Sequence, residues 1–227
     1  MQNGKNYKNF VNYFKKWEGA GMLGMCLMAV GFLFLWVGRS YLTYMISVFS
    51  IPVGIVIFLY GSIGRAGEAD IKNVIERSAE RIHFKELEED SHLRKRTPKE
   101  YKEQLYGGYS FHAGVLVKRM KNGSPCSSEY DVAKLMELND GYYVKTLHFS
   151  FISDEFSTAT HDVPFAGIEK IEVERTQETI SCGKKDFLTK SCHLVFTYDG
   201  GKRVLLPTND DIYVDELAEN LRRKHGI

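Results

Sequence analysis

Residues 19–64 read GAGMLGMCLMAVGFLFLWVGRSYLTYMISVFSIPVGIVIFLYGSIG and carry one formal charge, Arg39. Gly19 to Gly38 gives 20 uncharged residues, and Ser40 to Gly64 gives 25. Each exceeds the roughly 18 apolar residues that mark a membrane-crossing helix. At about 1.5 Å per residue, 20 residues rise about 30 Å, the thickness of a bilayer core. Pro52 lies inside the second stretch, which is long enough to tilt or bend around it. Two helices joined by a tight turn at Arg39-Ser40 are therefore expected over 19–64. The alternatives fit less well. A buried soluble hairpin leaves the lack of charge unexplained. A cleavable leader has an apolar core of only about 7–15 residues, and here a second apolar run follows at once.

Outside this block the chain is ordinary. The 227 residues hold 30 Lys and Arg against 29 Asp and Glu, a net charge of +1. That balance argues against a strongly basic nucleic-acid binder and a disordered acidic tail. Four cysteines are too few for a disulfide framework in a chain of this length.

Lysine and arginine set the expected orientation. Lys5, Lys8, Lys15 and Lys16 precede the first span; Arg65, Lys72, Arg77, Arg81 and Lys85 follow the second; only Arg39 lies between. The positive-inside rule places both termini in the cytoplasm and the Arg39 turn outside. Trp36, Tyr41 and Tyr44 then belong to the outer interface, Trp17 and Tyr60 to the inner one. In the cytoplasm Cys126, Cys182 and Cys192 are expected to stay reduced, and the Asn122-Gly123-Ser124 sequon to stay unglycosylated.

Small residues recur every seven positions: Gly24, Gly31 and Gly38 in the first span, Ser40, Ser47, Gly54 and Gly61 in the second. Helices in lipid associate through close backbone approach at such seams. The seam serves either to pack one helix on the other or to face a partner membrane protein or second copy. Neither span contains Asp, Glu, Lys or His, so an anchor or docking element is expected rather than an ion path.

Tyr7, Phe10, Phe14 and Trp17 ahead of the spans suit a short interfacial helix, or else a basic tail, over 1–18. Lys15 and Lys16 are candidates there for contact with anionic lipid. Beyond the spans, Ile71, Val74, Ile75, Ser78 and Ile82 form a helical stripe. The pairs Glu68–Lys72, Lys85–Glu89 and Asp90–Arg94 add i,i+4 support. A charged helical stalk is expected over 65–108, continuing out of the second span. Thr97-Pro98-Lys99-Glu100 would cap a further short helix that Gly107-Gly108 ends. Arg94, Lys95 and Arg96 make a second candidate contact for anionic lipid, or a solvated face.

After Gly108 the period changes to two. Strands are expected over 109–120, 132–138, 143–151, 156–162, 168–175, 191–198 and 202–207, separated by turns such as Asn139-Asp140-Gly141 and Asp199-Gly200-Gly201. In the third, Tyr143, Leu147, Phe149 and Phe151 face one way. A closing helix follows, capped by Thr208, loaded by Asp210 and Asp211, with Val214, Leu217 and Leu221 as its apolar stripe.

Seven antiparallel strands and a closing helix over 109–227 resemble the pleckstrin-homology (PH) superfold. Val163-Pro164-Phe165-Ala166-Gly167-Ile168-Glu169-Lys170-Ile171 resembles the segment leading into a middle strand of bacterial PH-like and GRAM-like domains. Such domains often follow a two-helix membrane hairpin. The resemblance implies a non-catalytic binding or scaffold module in a bacterial cell membrane, acting through protein or inner-leaflet contacts. The phosphoinositide-binding pattern is incomplete: Lys118, Arg119 and Lys121 serve its first part, but the second strand offers only Lys134, and the closing helix lacks a Trp. The alternative is an accessory subunit of a transporter or envelope complex, docked through the glycine seam.

No catalytic, cofactor or metal residue is expected. Cys182, Cys192 and His193 lack zinc-ligand spacing. Ser181-Cys182-Gly183-Lys184 matches S-x-x-K without its companion motifs.

Overall fold

The computed structural model describes residues 5–15, 19–80, 82, 91–98, 103–182, 185–208 and 212–227. Two compact units divide the chain, Met1–Gly67 and Glu68–Ile227.

The first unit is helical: α1 (Lys5–Lys15), α2 (Ala20–Val37) and α3 (Tyr41–Ser62). Both α2 and α3 are long and apolar enough to cross a membrane. Ser40 starts α3 by accepting the Thr43 N–H at 3.3 Å, while its own N–H donates to Thr43 Oγ1 at 3.2 Å, a capping box. Pro52 lies within α3 without ending it.

In α1, Phe10 and Tyr13 are buried, so the inward face is turned from the Tyr7–Phe10–Phe14 stripe. Ala66 N–H donates to Asn9 O at 3.0 Å and Asn12 Nδ2 to Gly64 O at 2.7 Å, tying α1 to the segment after α3. Trp17 and Lys16 lie outside the described residues.

Helix α3 does not continue as a stalk. Ile63 is extended, and Gly64 takes φ +67°, a left-handed conformation that stops a helix cleanly. The separate α4 (Glu68–Glu80) belongs to the second unit. Its expected stripe is buried at Ile71, Val74 and Ser78, and Ile82 is buried beyond it. Glu68 accepts the Lys121 N–H at 2.7 Å, and Lys134 Nζ donates to Ile82 O at 3.4 Å. This segment packs as part of the β unit. A short α5 (Ser91–Arg96) follows. Thr97 bonds back to Leu93 O and so closes α5 rather than opening a new helix. Lys85, Glu89, Asp90, Lys99 and Glu100 lie outside the described residues.

The described residues contain nine strands, not seven. β1 (Glu103–Tyr109), β4 (Glu129–Glu137), β5 (Gly141–Ser150) and β6 (Phe156–Pro164) form an antiparallel sheet in the order β1-β4-β5-β6. The small hairpin of β2 (Val117–Arg119) and β3 (Pro125–Ser127) is inserted between β1 and β4. After a 3-10 turn at Phe165–Gly167, β7 (Ile168–Cys182), β8 (Lys185–Tyr198) and β9 (Lys202–Thr208) form a three-stranded meander. α6 (Ile212–His225) ends the chain.

Of the expected strand over 109–120, only Tyr109, at the end of β1, and β2 are strand, and Gly107-Gly108 lies inside β1 rather than ending a helix. A Cβ on Gly107 would stand 2.8 Å from the Tyr130 hydroxyl, so the glycine leaves room for that ring.

The core lies between the two larger sheets and α6. Tyr142, Val144 and Val163 meet Ile171, Leu194, Phe196 and Leu206, and Val214 and Ala218 cover them from α6. Tyr142 and Val144, rather than Tyr143, point into this core. Tyr143 packs on Leu93, Met136 and Leu138. With both faces of β5 covered there, four residues in a row, 141–144, are buried, and alternation does not tell the faces apart. The hydroxyl of Thr208, the expected cap of α6, donates to Cys192 O at 3.2 Å. Asp210 and Asp211 lie outside the described residues.

Candidate functional site

A cleft of about 490 Å³ opens in the second unit where β1 and the β2–β3 hairpin approach β8 and β9. Tyr109, Phe111 and Tyr130 wall one side, and Leu188, His193 and Pro207 the other. The aromatic wall is ordered by ring packing. Tyr109 meets Tyr130 edge-on at 5.0 Å, and Tyr130 packs at 5.9 Å on Phe149, its cross-strand neighbour in β5. Burial pushes both tyrosine hydroxyls above their ordinary pKa, so they remain neutral donors. Burial also lowers His193, more than Asp131 and Glu174 raise it, so its ring is neutral near pH 7. The cleft offers apolar surface and uncharged hydrogen-bonding groups, with Lys190 also in its lining.

At the same end of the sheet runs a chain of imidazoles and carboxylates. His112 donates from Nδ1 to Ala113 O at 2.9 Å and from Nε2 to Glu129 at 2.6 Å. Both ring nitrogens face acceptors, and these bonds raise its pKa. His148 Nδ1 donates to Asp131 at 2.6 Å, and its Nε2 lies 3.3 Å from the same Glu129 oxygen. Cross-strand register accounts for part of this, since Asp131 stands opposite His148. Among the described residues, no group of three or more His, Cys, Asp or Glu is arranged to hold a metal ion. Cys126 and Cys192 are buried, and Cys182, on the long β7–β8 hairpin, is half-buried.

The small residues singled out in the helices lie between α2 and α3. A Cβ on Gly24 would stand 2.6 Å from Gly54 O, and one on Gly54 2.8 Å from Gly24 O. On Gly31 it would meet Ile51 Cγ1 at 2.5 Å, and on Gly61 Ala20 Cβ at 3.0 Å. At Gly38 it would meet Thr43 Cβ at 2.6 Å in the turn, and Ser47 is fully buried. The faces turned away are apolar and open: Trp36 is 90% exposed, and Phe32, Leu33, Phe49 and Val56 are also exposed.

The basic candidates separate. Lys15, Arg94 and Lys95 are exposed. Arg96 is not available as they are: its side chain is 15% exposed, with Nε on Asp140 at 2.7 Å and Nη1 and Nη2 on Asp162 at 2.5 and 3.0 Å. Those carboxylates hold its pKa above the ordinary arginine value. The aromatic cleft and the His112 chain escaped the sequence reading because their members come from distant segments. Only the alternation of Glu129 and Asp131 in one strand hinted at the second.

No known protein family, curated protein or solved structure matches the chain.

Proposed function

We propose that the chain is a membrane-anchored, non-catalytic binding module. α2 and α3 cross a bacterial cell membrane, both termini are cytoplasmic, and the second unit is a PH-like domain that recognises protein at the inner leaflet. The observation that carries this reading is the exposed apolar surface of α2 and α3. A soluble protein rarely leaves a contiguous apolar surface of that extent in water, whereas lipid satisfies it without a partner. The PH-like reading draws support from a four-strand meander, a three-strand meander and a closing helix in that order. The β2–β3 insertion is an addition to that plan. The aromatic cleft is the recognition surface on this reading, and Arg94, Lys95 and Lys15 are free to contact anionic headgroups.

The alternative of a subunit docked through the glycine seam loses its motivating feature, because those residues face the other helix of the same chain. The test is an alkaline carbonate wash of membranes from cells making the full chain. Retention in the pellet is expected, and release into the supernatant would overturn the anchor.

A further inference from the structure

The two larger sheets have four outer edges, and they differ in how they are covered. β1 and β9 abut, with a Cβ on Gly108 falling 3.4 Å from Pro207 Cβ. α6 covers the first part of the β7 edge, where Arg222 Nε donates to Ile171 O at 2.8 Å and Arg175 pairs with Asp215 at 2.5 Å; beyond it 175–179 are exposed but carry Arg175 and Glu178. β6 is the last strand of its sheet. Its first five residues, 156–160, are exposed on both faces, Phe156 at 73%. Among the described residues nothing pairs with its outer edge.

An open edge presents unpaired N–H and C=O groups at every second residue, and proteins usually blunt such edges with lysine, proline or a bulge. β7 carries charges at Glu169, Lys170, Glu172, Glu174 and Arg175, and β9 carries Lys202, Arg203 and Pro207. From Phe156 to Thr160, β6 has neither charge nor proline, and it is rich in β-branched threonine. Its composition invites pairing rather than preventing it.

We infer that β6 pairs antiparallel with β6 of a second copy, about a two-fold axis at Ala159. That register sets Thr158 opposite Thr160, Ser157 opposite His161, and Phe156 opposite Asp162, with no like charges facing each other. Cross-strand threonine pairs are favourable, and burial keeps His161 below its ordinary pKa and neutral. A two-fold contact of this kind closes on itself and does not propagate into a fibre. A pairing of seven residues buries less than the roughly 1,600 Å² of a standard stable interface. Confinement of both copies to one membrane supplies the missing affinity as effective concentration, and in that respect the inference rests on the proposed anchor.

Disulfide trapping in membranes tests it with the full chain. Ala159→Cys puts the two thiols directly opposite, within the Cα separation of about 4.4–6.8 Å that a disulfide needs. Phe156→Cys sets them six residues apart along the strand, about 20 Å at 3.4 Å per residue. Under mild oxidation the linked dimer is expected as the main product of Ala159→Cys. Phe156→Cys should stay at the level of the parent chain, whose exposed Cys26 sets the background. Equal yields at both positions would mean random collision and overturn the pairing. Absence of the 159 adduct from carbonate-resistant membranes would overturn the pairing alone. Chain washed out by carbonate would overturn the anchor, with the 159 adduct still deciding the pairing.

Discussion

Single histidines set opposing pH dependences. His112 is raised by its bonds to Ala113 O and Glu129. Its contribution is therefore complete below the ordinary value of about 6.5 and is lost as pH rises through the higher folded-state value. His161, His193 and His225 are lowered by burial. Each therefore opposes folding as pH falls through about 6.5. Three against one predicts a melting temperature that drops between pH 7 and pH 5. His193→Gln should flatten the drop and His112→Gln should steepen it, both read by a thermal scan across that range. An unchanged slope in both variants would remove these rings from the balance. Arg96 acts at the same scale. Asp140 and Asp162 are about half exposed, so water screens the pairs. Arg96→Ala is expected to cost about 1–2 kcal/mol in a denaturant melt, with part recovered by Arg96→Lys, which keeps the charge but not the planar fork.

Among the elements, the helix pair depends most on absent atoms. Gly24 and Gly54 approach so closely that a Cβ on either would stand under 3.0 Å from backbone atoms of the other helix. Gly24→Leu or Gly54→Leu should separate α2 from α3, costing at least the roughly 1–3 kcal/mol typical of overpacking. Lower melting temperature and faster proteolysis in detergent would report it. Met22→Leu, on the exposed face, should change neither. The strands show how far patterning reaches. β6 and β9 are where apolar alternation and the Asp199-Gly200-Gly201 turn place them, with φ +46° at Asp199 and positive φ at both glycines, whereas β7 and β8 run past the expected 168–175 and 191–198 and pair over 176–182 and 185–191 as well. β1 was hidden because Gly107-Gly108 reads as a stop signal, whereas a strand interior accepts glycine where a ring crosses it. β2 and β3 have three residues each, too few for a period to show.

On the scale of the whole chain, two composition classes become two units. The apolar pair of helices, the break in charge at Gly64 and the mainly-β character of the remainder were all legible, because each depends on local composition or short periodicity. The candidate site was not. Tyr109, Tyr130, His193 and Pro207 belong to four strands, and His112 reaches Glu129 from a loop; only pairing register brings them together. The same holds for Arg96, whose position in a basic run suggested an exposed cation until Asp140 and Asp162 enclosed it. What the sequence by itself determined is where this protein is apolar, where charged, and where most of its longer helices and strands fall, since those properties are carried by neighbours along the chain. Tertiary structure alone decided which glycines touch, which face of β5 enters the core, which histidines hold their protons and which sheet edge stays open. Each of those depends on groups distant in sequence, whose encounter no local pattern encodes.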